Sequence, residues 1–210
     1  MKDILKNEFV DYLNSTKPLL TPPIDKTVLT VRSEVTSDAY FDIIDRQATI
    51  LVATGNGSAS YKNVAKKRIE IIDYEDFINQ LPAAHQKKVK RPDFIVYHID
   101  GDSFFILNEL SQSASTKNKR NDAKLQLHNA LLLLSRAAKS ADFMSQFKNK
   151  VCVFANKERL IGVSNDAVKA FRAIEGYLPD PIAIKFQPIT ALGFKAIETA
   201  VVEIEGLDAL

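Results

Sequence analysis

Asp93 and Glu109 are the residues of this chain whose type and spacing best suit chemistry. They bracket two β-rich runs. Asp93–Ile99 reads Asp-Phe-Ile-Val-Tyr-His-Ile, and Ser103–Leu110 reads Ser-Phe-Phe-Ile-Leu-Asn-Glu-Leu. Asp100, Gly101 and Asp102 lie between them, and two such runs around an Asp-Gly predict a β-hairpin. Directly opposed residues of an antiparallel pair share a face, with Cβ atoms about 4.5–5.5 Å apart. A three-residue turn over Asp100–Asp102 sets Asp93 opposite Glu109. A two-residue Asp100-Gly101 turn would set Asp93 opposite Asn108 and send Glu109 to the other face, unless a bulge restores the phase. An acidic site here therefore requires the three-residue turn or a bulge. Two opposed carboxylates repel, so the pair calls for a cation. Mg²⁺ suits that role, as a hard ion bound by one or two carboxylates with waters and phosphate oxygens completing its shell. A metal so held could activate water against a phosphodiester.

Basic residues flank the pair. Lys87, Lys88, Lys90 and Arg91 precede it, and Lys117, Lys119, Arg120 and Lys124 follow it, with Asp122 alone of opposite sign. Two basic clusters around an acidic centre suit a polyanion, bound through its phosphates without regard to sequence. The plainer alternative is a solvated surface for the lysines and solvated strand ends for the two acids.

Arg91-Pro92-Asp93-Phe94-Ile95-Val96, then Ile106-Leu107-Asn108-Glu109-Leu110-Ser111, then a long helix carrying Lys124 and Gln126, resembles the PD-(D/E)xK nuclease superfamily. The resemblance spans about residues 68–155. It implies a restriction-endonuclease-like α/β fold, with a central mixed sheet and flanking helices. It also implies Mg²⁺-dependent (or Mn²⁺-dependent) phosphodiester hydrolysis on DNA. Asp93 and Glu109 would be the metal ligands. The family lysine two positions beyond the second acid falls at Ser111, which carries no charge. Lys117, Lys119 or Lys124 on the following helix would then stabilise the developing negative charge. Gln126, seven residues after Lys119, can share its helix face, and the superfamily often has a polar residue there. Glu8 resembles an accessory acid of the N-terminal helix. Such domains often act as dimers, so a homodimer is part of the expectation. Without the lysine, the rival is an inactive relative that keeps the fold and binds nucleic acid or a protein. A second rival is an unrelated α/β interaction module, compatible with the acidic segment Glu198, Glu203, Glu205 and Asp208.

The elements that must position these residues follow from periodicity. Ile4, Leu5, Phe9 and Leu13 predict a helix over 2–14, ended before Lys17-Pro18. Residues 27–32, 48–54 and 68–72 read as strands, and Thr54–Ser58 as a plain turn rather than a phosphate loop. A short helix starts at Asp73 or Tyr74 and stops before Pro82. Leu127, Ala130, Leu131, Leu134, Ala137 and Ala138 predict a long helix from about Asn118–Asn121 to near Ser140. Val151–Ala155 reads as a buried strand, Asp166–Glu175 as a helix, Ile182–Phe186 as a strand and 189–200 as a helix. This mixture predicts a mixed sheet with helices on its faces.

Composition sets the remaining bounds. The 210 residues fit one domain, and a net charge of +2 leaves any case for a polyanionic partner to the local clusters. The single cysteine, Cys152, lies in an apolar run and reads as core. Alternation turns His98 away from Asp93, as a packed or edge histidine. His85 and His128 complete no zinc-ligand spacing. The first ten residues lack the apolar core of a signal peptide, and no run approaches the ~18 apolar residues of a membrane span. The expectation is a cytoplasmic protein without membrane contact.

Overall fold

The computed structural model describes residues 1–16, 21–44, 51–53, 59–86, 91–111, 117–156 and 181–209. The expected hairpin is its centre. Strand β5 (Ile69–Asp73) pairs antiparallel with β6 (Phe94–His98), which pairs antiparallel with β7 (Phe104–Ser111). From β7 the chain crosses over through α4 (Lys117–Arg136) and α5 (Ala138–Ser145) to β8 (Asn149–Asn156), which lies parallel to β7. A parallel neighbour requires such a helical crossover. Strand β10 (Lys195–Thr199) adds parallel to β8. Strands β1 (Ser33–Thr36) and β9 (Ile182–Ala183) complete a seven-stranded mixed sheet in the order β1-β5-β6-β7-β8-β10-β9.

Alternation divides the sheet's side chains between two cores. On one face Ile95, Leu107, Cys152, Phe154 and Ala196 meet helices. These are a π-helical turn Ile4–Phe9 continuing into α1 (Val10–Ser15), then α2 (Tyr74–Asn79), which the short α3 (Ala83–Gln86) follows, and α4 and α5. On the other face Phe94, Val96, Ile106, Val153 and Ile197 meet Phe41, Tyr61 and Val202 of a second sheet. That sheet has the order β11-β4-β2-β3, from β2 (Tyr40–Ile43), β3 (Val52–Ala53), β4 (Ala59–Lys62) and β11 (Val201–Glu203). The expected mixed sheet with flanking helices is present, with its helices on one face and a small sheet on the other. Among the described residues, no helix is long and apolar enough to cross a membrane.

Several elements depart from expectation. Residues 27–32 do not form a strand. Asp25 accepts hydrogen bonds from both Thr27 N (2.8 Å) and Thr27 Oγ1 (2.7 Å), closing a 3₁₀ turn over Lys26–Val28. Such local bonds compete with a ladder, and strand structure begins only at Ser33. The long helix breaks at Ala137, whose backbone is extended (φ −82°, ψ 110°), and resumes as α5. The late strand is confined to Ile182–Ala183. Residues 189–200 contain only the end of a short helix, Gln187–Thr190, and then β10. β10 lies between β8 and β9 and is buried on both faces, which removes the polar alternation that marks a strand. Thr54–Ser58, Asp166–Glu175 and most of 48–54 lie outside the described residues.

Candidate acidic site at the end of the central strands

The register of the hairpin decides where the acids lie. Phe94 stands opposite Asn108 and Tyr97 opposite Phe105. Continued outward, the same register sets Asp93 opposite Glu109 and Ile99 opposite Ser103. This is the three-residue turn that an acidic site requires. Gly101 belongs in that turn for reasons of space, since a Cβ there would lie 2.6 Å from His98 Cε1. Asp93 is further tied to β7 because its Oδ2 accepts from Leu110 N at 2.7 Å. Its backbone carbonyl accepts from Tyr74 N and Glu75 N at the start of α2. The carboxylate is thus fixed at both ends of its residue, one residue beyond Glu109, which is itself buried.

The row continues across the sheet. Glu109 is the register partner of Phe154, and Phe154 is the register partner of Glu198. Asp93, Glu109, Phe154 and Glu198 therefore share the helix-covered face, because opposed residues point the same way. One row further out, Ser111 is the register partner of Asn156. All these positions lie at the carboxyl ends of the parallel strands β7, β8 and β10, where open α/β sheets place their ligands.

Helix α4 covers this end. Its buried stripe is Ala123, Leu127, Ala130, Leu131 and Leu134. Lys119, Arg120, Lys124 and Gln126 flank that stripe near the amino end and are half-buried. Arg120 Nε donates to Glu198 Oε2 at 2.6 Å, and Asn156 Nδ2 donates to Glu198 Oε1 at 3.4 Å. Gln126 Nε2 donates to the carbonyl of Arg91 at 3.3 Å, joining α4 to the chain entering β6. Arg91 Nε in turn lies 3.5 Å from Glu75 Oε1 of α2.

The expected site residues divide as follows. Asp93 and Glu109 come together on one face, with Gln126 and Arg91 bonded beside them and Arg120 at the far end of the row. Lys119 and Lys124 flank the helix stripe, and Lys117 opens α4. Lys87, Lys88 and Lys90 lie outside the described residues. Glu8 pairs instead with Lys139 of α5 at 2.5 Å. Glu203 pairs with Lys62, Glu205 accepts from Val64 N and Ala65 N, and Asp208 accepts from Asn149 Nδ2. The acidic C-terminal segment is thus engaged within the fold. Among the described residues, no group of three or more His, Cys, Asp or Glu is arranged to hold a metal ion.

The histidines and the cysteine follow their plain readings. His98 stacks on Phe104 and is 2.9 Å from Ser103 Oγ. His85 is buried and near the carbonyl of Pro22, and His128 meets the Phe186 ring edge-on. Cys152 is fully buried, and burial pushes its thiol far up, away from the reactive thiolate.

Two residues at this end of the sheet, Glu198 and Asn156, are not singled out as site residues by the sequence. The signal for Glu198 is an acid inside the apolar run Ala196-Ile197-Glu198-Thr199-Ala200-Val201-Val202, too hydrophobic for a solvated tail. Asn156 closes the β-rich run that begins at Val151. No family model matches the chain, and neither a curated protein nor a solved structure matches it.

Proposed function

We propose that this chain is a nuclease-like domain of the PD-(D/E)xK type that acts on DNA by Mg²⁺-dependent (or Mn²⁺-dependent) phosphodiester hydrolysis. The observation that carries the reading is the hairpin register, whose last pair is Phe94 with Asn108 and which, continued outward, opposes Asp93 to Glu109 on the face covered by α4. The donor set suits a hard cation: two carboxylates supply oxygen ligands, and waters and phosphate oxygens supply the rest. A third acid is not needed for such an ion. When bound, the metal would supply Lewis acidity and an activated water.

The protein's own groups do the remaining work. Asp93 and Glu109 hold the cation, and the hydrogen bond from Leu110 N fixes the Asp93 carboxylate in its direction. Gln126 holds Arg91 and the entry to β6 in place. Lys119 or Lys124, on the half-buried flanks of α4, or Lys117 at its start, supplies the charge that Ser111 lacks. Aligned peptide dipoles at the amino end of α4 add to that positive field. Lys87, Lys88, Lys90 and Arg91 would bind phosphates away from the reacting bond, and a homodimer would present two such sites to a duplex.

A second reading keeps the fold and drops the cleavage. It is favoured by Ser111 at the lysine position and by Glu198, which pairs with the Arg120 guanidinium. Calorimetry with Mg²⁺ and Mn²⁺ separates the two, on the parent and on Asp93→Ala and Glu109→Ala. Metal binding lost in both folded variants supports the hydrolytic reading. No metal binding by the parent, even with DNA present, moves the assignment to the non-catalytic one.

A further inference from the structure

Glu198 is a carboxylate at 1% exposure on β10, the strand next to the β9 edge of the large sheet, with apolar Ala196 and Ile197 buried before it and Thr199 buried after it. Burying a charge is costly, and a buried ion pair adds little net stability over apolar residues of the same size. Stability alone therefore does not explain the acid. Its geometry points to another use. Glu109 and Glu198 both face Phe154, so they stand two strand spacings apart, about 9–10 Å. That is too far for the two to share one ion, yet within reach of an arginine lying over the sheet.

We propose that Glu198, assisted by Asn156, is a positioning residue that holds the Arg120 guanidinium at the end of β7, β8 and β10 as a fixed donor for a phosphate oxygen of a nucleic acid. This rests on the nucleic-acid reading above and deepens it. Arg120 is bound side-on, through Nε, to a carboxylate that is itself fully buried and bonded to Asn156. Its side chain is 42% exposed. Among the described residues no acceptor takes its terminal nitrogens. A planar fork gripped on one edge presents its other donors in a set direction, which suits two phosphate oxygens. A flexible lysine at Ser111 would offer only a point charge.

The test uses a fluorescent DNA duplex, with Ca²⁺ replacing Mg²⁺ so that the strand stays intact, titrated at several salt concentrations. Arg120→Gln should weaken binding about 10-fold near 0.1 M salt and lower the slope of log K against log salt by about 0.9, the loss of one phosphate contact. Because that variant leaves Glu198 buried without its cation, Arg120→Gln/Glu198→Gln is measured beside it. The double variant keeps an amide pair, folds as the parent does and shows the same loss. Glu198→Gln raises the net charge by one, so a mere neutralising role would tighten binding. A positioning role weakens it several-fold instead. The inference is overturned if the double variant binds with the parent's affinity and slope, or if Glu198→Gln binds more tightly. A parent that binds no DNA overturns this inference and the nucleic-acid reading together. Binding that depends on Arg120 in a protein that takes up no Mg²⁺ ends the hydrolytic reading alone and leaves Arg120 and Glu198 in their roles.

Discussion

The Asp93 carboxylate accepts a hydrogen bond from the backbone N–H of Leu110 across the hairpin, at 2.7 Å. The acid that opens β6 is thereby locked to the strand that carries Glu109, just past the last ladder pair, Phe94 with Asn108. The bond separates two properties that substitution can read independently. Asp93→Asn keeps a side-chain acceptor for Leu110 N–H and removes the charge. Asp93→Ala removes both. We expect Asp93→Ala to cost about 1–2 kcal/mol in urea unfolding and Asp93→Asn distinctly less, while both lose metal uptake. Equal stability for the two variants would show that the bond contributes nothing to the hairpin end.

A second relationship ties the two sheets. Asn108 Nδ2 donates to Tyr61 Oη at 2.7 Å, and both residues are buried. Asn108 and Glu109 are neighbours pointing to opposite faces, so this bond anchors the strand under the acid. Burial pushes the Tyr61 phenol strongly up, so it stays neutral and can donate and accept. Tyr61→Phe leaves the Asn108 amide buried without its partner, at a cost of about 1–3 kcal/mol. Replacing Asn108 by Leu as well should recover much of that loss. A double-mutant cycle by chemical denaturation measures the coupling, and additive losses would remove the bond as the cause.

The acid Glu70 predicts a pH dependence. Burial pushes its carboxyl up, but hydrogen bonds from Tyr97, Lys2 and Ser33, with the Lys2 charge, outweigh that and hold it below its ordinary 4.5. A carboxyl depressed on folding stabilises the fold above its unfolded value and loses that contribution as pH falls through the folded value. Stability at neutral pH should therefore persist to about 4.5 and decline below it. Tyr97→Phe removes the first of the opposing hydrogen bonds. The decline should then be shallower and finish at higher pH, because its onset is set by the unfolded chain and its end by the folded value. Unfolding free energies measured from pH 7 downward on parent and variant decide the matter, and coincident curves would contradict it.

Elements with a strong local signal were legible in the sequence. The hairpin followed from two apolar runs around Asp-Gly, and its acids could be placed once the turn length was posed as the deciding question. The Leu127–Leu134 stripe marked α4, and Val151–Ala155 marked β8. What escaped was decided by tertiary contact. β2, β4 and β11 are strands of three or four residues that owe their pairing to the second sheet. β10 is buried on both faces, so its single acid, Glu198, resembled one among several near the C-terminus. Its partner Arg120 lies 78 residues earlier in the chain. No local pattern reports a pairing of that separation.

The hairpin turn itself carries the last prediction. His98 fills the space above Gly101, stacked on Phe104 with ring centroids 6.1 Å apart and bonded to Ser103 Oγ. Burial, then the nearby Lys67 charge, holds its imidazole below the ordinary 6.5 despite Asp100 and Asp102. Gly101→Ala brings a Cβ to 2.6 Å from His98 Cε1, a contact the ring escapes only by leaving its stack. The ring would then stand in water beside the two aspartates, and its titration, followed by NMR, should move up toward 6.5 or beyond. Stability should fall by about 1–2 kcal/mol, as for other overpacked sites. In a His98→Ala background the same alanine keeps no contact closer than about 3.6 Å and should cost little. The turn lies at the opposite end of the strands from Asp93 and Glu109, so metal uptake should survive in all three variants. An unchanged His98 titration in Gly101→Ala would mean that the backbone of the turn, and not the ring, gives way.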